Sequence, residues 1–166
     1  MKKEVDEIVK VGIADLNIVK TPNRIRTSGL GSCVGLILFD KINEIAGLAH
    51  IMLPDSSLAN QTTINHAKYA DTAIPLLMNK LRESGAKMGL LQAKVAGGAQ
   101  MFQFQSSNDM MRIGPRNVEA VRRILKNYNI PILNEDVGGN SGRTIEFDPK
   151  TSELLIRTVN QGTKIL

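Results

Sequence analysis

The sequence predicts an α+β domain: a layered α/β/β/α-type sandwich with mixed, largely antiparallel sheets and helices on the outer faces. Three observations carry this expectation. Strand-like runs outnumber helix-like runs, several of the strands lie close enough to be joined as hairpins, and two longer segments place apolar residues at helical spacing that a sheet can bury. At 166 residues the chain has the size of one domain and can build a core without disulfides or metals, so residues 1–166 are read as a single unit.

Lys10 to Val19 reads as a first strand, closed by Lys20-Thr21-Pro22-Asn23. Arg24 to Thr27 leads into a glycine-rich approach, Ser28-Gly29-Leu30-Gly31-Ser32-Cys33-Val34-Gly35. The alternating runs Cys33 to Phe39 and Ile45 to Leu53 flank the polar break Asp40-Lys41-Ile42-Asn43 and read as a β-hairpin ending at Pro54-Asp55. From about Thr62 to Glu83, Ile64, Ala67, Ala70, Ile74, Leu77 and Leu81 recur at helical spacing, with Pro75 predicting a kink or break and Ser84-Gly85-Ala86 the end. Leu90 to Ala96 is a short strand that turns at Gly97-Gly98-Ala99, and Asn108 to Gly114 reads as irregular. Asn117 is a candidate cap for a second helix with Val118, Val121, Leu125 and Tyr128 on its buried side. Ile130 to Val137, Arg143 to Phe147 and Leu154 to Val159 complete the strands.

The hairpin carries the chemistry. A loop centred between Lys41 and Ile42 sets Cys33 directly opposite His50, with Cβ atoms roughly 4.5–5.5 Å apart. A thiol becomes a strong nucleophile as its thiolate, and a neighbouring imidazole can remove its proton. Two readings of the cysteine stand side by side. A lone intracellular cysteine is commonly a small buried hydrophobe. Gly29, Gly31 and Gly35, however, permit tight turns and close approach of a ligand, and the apolar strand Gly47 to Leu53 has no use for an imidazole without a polar partner.

Other chemistries fit less well. The third glycine of a dinucleotide fingerprint would fall one place too late, at Gly35, and no lysine follows as a phosphate loop requires. Ser28 and Ser32 lack a G-x-S-x-G elbow. One cysteine and two histidines, His50 and His66, match no metal spacing, so neither zinc nor another cofactor is expected. The seven methionines, Met110-Met111 among them, read as packing or contact residues.

Net charge is +5 with a pI near 9.5, but the basic residues are dispersed. The densest group, Arg116, Arg122, Arg123 and Lys126, shares its helix with Glu119. Two tyrosines, four phenylalanines and no tryptophan offer no base-stacking platform, so nucleic acid is not an expected partner. One cysteine cannot form an internal disulfide, and no long apolar segment follows Met1-Lys2-Lys3-Glu4. A cytoplasmic protein, not embedded in a membrane, is the expectation.

Several motifs in fixed order then resemble one family: Thr27 followed by the segment to Gly35, Gly47 to Pro54, Lys94 to Ala99, Ile113 to Val118, and Asp136 to Arg143. This sequence is similar to the CheD family of chemoreceptor glutamine deamidases from about Val11 to Ile156. The resemblance implies a layered α/β fold with a cysteine-histidine site, in which Cys33 is the nucleophile, His50 its base and Thr27 the residue that orients the imidazole. From sequence alone, a Thr27 hydroxyl that satisfies a nearby turn is an equal reading. The resemblance further implies substrate glutamines on the cytoplasmic helical part of methyl-accepting chemotaxis receptors, a CheC-type phosphatase as regulator, and methyl-ester hydrolysis as a conceivable side activity. The alternative is a non-catalytic adaptor that binds chemoreceptors or CheC. Ser152 stands where relatives often have glycine, and Pro115 where many carry a charge.

Overall fold

The computed structural model describes residues 6–57, 59, 64–101 and 112–166. In chain order these form β1 (Ile8–Val11), β2 (Leu16–Lys20), β3 (Arg24–Leu30), β4 (Val34–Asp40), β5 (Ile45–Ile51), α1 (Ala70–Glu83), β6 (Leu91–Gly97), α2 (Ile113–Asn127), β7 (Ile132–Val137), β8 (Arg143–Asp148), β9 (Glu153–Thr158) and β10 (Gly162–Ile165), with a short 3₁₀ turn at Met88–Leu90. The strands build two sheets, ordered β1-β3-β8-β9-β10 and β2-β5-β4-β6-β7. Only β1/β3 and β6/β7 pair in parallel among the described strands.

The sheets face each other. Ile37, Phe39 and Leu48 of the second sheet pack with Ile25, Ile145 and Phe147 of the first, and the Phe39 and Phe147 rings lie 5.1 Å apart between centroids. The alternate residues Leu36, Leu38, Ala49 and Val95 point the other way, into Ala73, Leu77, Leu81, Val121 and Leu125 of the helices. Strands β4 and β5 are therefore buried on both faces, which is why they read as continuous apolar runs.

The α+β class and the mixed, largely antiparallel sheets are as the sequence predicts. The layering differs in one respect, because both helices cover the second sheet and the described residues stack as α/β/β. The outer face of the first sheet carries Lys10, Arg24, Arg26, Glu146 and Arg157, alternating with the inward Ile25, Ile145 and Phe147. Polar residues there need no helix to bury them.

Local departures have local causes. The single strand expected over Lys10 to Val19 is split between the sheets, with Ala14 at φ 57° in the crossover. Helix α1 begins at Ala70, because Lys68 turns back on Asn65 and Tyr69 bridges to Leu53; residues 62 and 63 of the predicted helix lie outside the described ones. Pro75 sits within α1 without ending it. Most of the stretch expected to be irregular, residues 108–111, and both methionines of the pair are likewise outside the described residues. Asn117 is not a cap: α2 starts at Ile113 and Asn117 is buried in its second turn. Tyr128 follows the helix and is exposed, while Val118, Val121 and Leu125 are buried as expected. Strand β10 carried no alternating apolar signal and was not anticipated; it is exposed throughout.

Candidate active site

Three segments converge where the chain passes between the sheets. Strand β3 in the first sheet carries Thr27, β5 in the second carries His50, and Gly31-Ser32-Cys33 is the crossover from β3 to β4. The ladder shifts register between Thr27 and Leu30, one residue too many against β8, and this bulge releases β3 into the crossover.

The hairpin register corrects one expectation. Asp40 pairs with Ile45, so the loop is centred one residue later than the sequence suggested, and His50 faces Gly35 instead of Cys33. A one-residue shift of the loop moves the register by two, which preserves the face. Cys33 lies just before β4, is half-buried, and packs against the cluster between the sheets. It thus belongs to the side on which His50 points, diagonally offset instead of directly opposite.

Thr27 and His50 are brought together. The Thr27 Oγ1 lies 2.7 Å from His50 Nδ1, and the same hydroxyl donates to the Val11 carbonyl at 2.7 Å. A hydroxyl has one proton to give. With that proton committed to Val11, Thr27 accepts from Nδ1–H, so the Nε2 nitrogen carries the lone pair. Nε2 is buried and has no hydrogen-bond partner among the described residues. The backbone of His50 is held as well, its N–H by Asp15 O at 2.9 Å and its carbonyl by Ala14 N–H at 3.1 Å.

Burial sets the protonation states. It depresses the His50 pKa from 6.5 to about 4 and raises the Cys33 thiol above its ordinary 9.0, against a lesser opposing effect of the cysteine's own backbone N–H. At neutral pH the pair is an uncharged thiol and an uncharged imidazole.

The cysteine segment is clamped from the far side. Gly98 N–H donates to Cys33 O and Ala99 N–H to Gly31 O, both at 2.8 Å. Gly97, at φ 107°, lets β6 pass so close that a Cβ there would stand 2.3 Å from Cys33 O. Arg143 supports that turn through Gly97 O at 3.3 Å and Asp136 at 3.2 Å. Asn117 donates from Nδ2 to Ser32 O at 3.0 Å and to Met52 O at 2.9 Å. Sequence reasoning missed this role, although a polar residue four places before Val121, on the apolar face of a helix, signals a buried partner. His66 is exposed in the turn before α1, and no group of three His, Cys, Asp or Glu side chains among the described residues could hold a metal. No helix among the described residues is long and apolar enough to cross a membrane.

A family model described as CheD chemotactic sensory transduction matches residues 52–158. The chain belongs to the CheD family. Its CheD relatives include the chemoreceptor glutamine deamidase CheD of Halalkalibacterium halodurans, 62% identical over 159 residues that cover 96% of this chain and 98% of that protein. The Bacillus subtilis protein of the same description is 57% identical over 159 residues, covering 96% of each chain. A probable chemoreceptor glutamine deamidase CheD of Lachnoclostridium phytofermentans is 52% identical over 158 residues, covering 95% of this chain and 98% of that one.

Proposed function

We propose that this CheD-family chain is a cysteine-dependent protein-glutamine deamidase that converts glutamine side chains of chemotaxis receptors to glutamate. The observation that carries the chemistry is the Val11–Thr27–His50 relay, which leaves a buried imidazole Nε2 lone pair on the side of the sheet that Cys33 occupies. The names of the relatives support the substrate.

Nε2 takes the Cys33 thiol proton as the sulfur bonds to the glutamine amide carbon, and the carbonyl π pair becomes an oxyanion. The imidazolium is stabilised at Nδ1–H by Thr27. It protonates the amide nitrogen, the C–N bond breaks and ammonia leaves a thioester. Water then gives a proton to Nε2 and its oxygen to the acyl carbon, the C–S bond breaks with its electron pair going to sulfur, Nε2 returns the proton to that sulfur, and the acid departs, losing its proton to solvent as glutamate. Backbone N–H groups around Ser32 to Val34 are the candidate oxyanion donors. His50 with a pKa of about 4 is a free base at neutral pH, so no prior ion pair is required.

The cytoplasm is the proposed location, because the substrate region of such receptors faces it, and a CheC-type phosphatase is the proposed regulator by family resemblance. Peptide mass spectrometry of a receptor fragment incubated with wild type or Cys33→Ala tests the enzyme reading. A gain of about one mass unit at particular glutamines, with ammonia release, is expected from wild type alone. An adaptor would produce no mass change and would keep its signalling effect without the thiol.

A further inference from the structure

We infer that Asn117 is a positioning residue for this reaction, fixing the Ser32–Cys33 peptide so that the Cys33 N–H donates to the oxyanion while tying the cysteine segment to the end of β5. The inference rests on the deamidase reading and adds to it a residue outside the Cys33–His50–Thr27 set.

Both Asn117 amide protons are committed, one to Ser32 O and one to Met52 O, and the side chain is fully buried. Those two carbonyls belong to the residue before the nucleophile and to the second residue after the base. One rigid amide on α2 therefore spans the two strand ends that carry the chemistry. In a trans peptide the carbonyl and the following N–H point in opposite directions within one plane. With Ser32 O drawn toward Asn117, the Cys33 N–H is aimed away from α2. It acts on its own sulfur, lowering the thiol pKa against the larger effect of burial. A donor beside the sulfur is also beside the carbon that the sulfur attacks. The next peptide is held from the opposite side, by Gly98 N–H on Cys33 O at 2.8 Å.

The chain has a single cysteine, so protein labelled with 15N-cysteine shows one amide resonance, that of Cys33. A receptor peptide carrying an aldehyde in place of the glutamine amide adds the sulfur to its carbon, the thiol proton passes to His50, and the carbonyl oxygen becomes the anion. Wild type should shift the Cys33 amide proton downfield on forming this adduct. Asn117→Ala and the isosteric Asn117→Asp should lower kcat about 10²- to 10³-fold with KM little changed and lose the downfield shift. A variant kcat within threefold of wild type, or an unchanged downfield shift, overturns the inference. An unmoved wild-type resonance overturns it even if neither variant folds. A wild type that releases no ammonia overturns the deamidase reading itself.

Discussion

His50 faces Gly35 across the β4–β5 ladder, and the missing side chain at Gly35 is what lets the first sheet close over the imidazole. A Cβ at Gly35 would stand 2.6 Å from Ile145 Cδ1 and 2.9 Å from Leu30 Cδ1. Those are the far ends of side chains that can rotate, so Gly35→Ala should cost about 1 kcal/mol, at the low end of overpacking. Gly97→Ala meets a backbone carbonyl, Cys33 O at 2.3 Å, from a left-handed φ of 107°. It should cost about 3 kcal/mol and displace the cysteine segment. Urea unfolding should rank the two, and ammonia release should fall far more in Gly97→Ala.

Thr27→Val keeps the volume and removes the oxygen. His50 Nδ1–H then loses its acceptor, and the ring loses the contact that selects the tautomer with the lone pair on Nε2. Deamidation should fall by about 10²-fold, the order expected for a misplaced catalytic group. Stability should drop by about 1–3 kcal/mol for a buried unpaired donor. Thr27→Ser retains the hydroxyl and should stay within a few-fold of wild type in kcat.

Stability should depend on pH through His50. Its folded pKa of about 4 lies below the 6.5 expected of the unfolded chain, so between these values the unfolded state binds more protons. Stability is then complete above about pH 6.5 and declines as pH falls toward 4, by roughly 3 kcal/mol over the window, after which this group adds no further slope. Chemical denaturation from pH 7 to 4 should show this decline, and His50→Gln should flatten it.

The rate profile tests the same group in the free enzyme. At pH 5 an imidazole titrating near 6.5 would be almost wholly protonated and kcat/KM would fall about 25-fold from its value at pH 7. With His50 near 4, kcat/KM measured on folded protein should stay within about twofold between pH 7 and 5, once any substrate titration is accounted for. A steep loss beginning near pH 6.5 would contradict a buried His50 as the proton acceptor.

The nucleophile and base candidates were legible because each broke a local pattern: a thiol after clustered glycines, and an imidazole in an otherwise apolar strand. The class was legible from the count and spacing of strand-like runs, and β4 and β5 from their apolar length. The register was less legible. The Asp40–Ile45 pair depends on how the four residues between them turn, with Glu44 at φ 53°, and nothing in Lys41-Ile42-Asn43 announces that. The error of one loop residue left the face intact because strand side chains repeat every two residues.

What the sequence alone determined was therefore the candidate residues for the chemistry and the mixture of sheets and helices that holds them, since both follow from side-chain type and short-range periodicity. Which residues meet was decided by the tertiary structure. Thr27 reaches His50 only because β3 and β5 lie in different sheets packed face to face. Asn117 reaches Ser32 and Met52 only because α2 covers the second sheet. Such contacts join residues 23, 85 and 65 positions apart, and sequence spacing carries no information about separation in space once the chain has folded across two sheets.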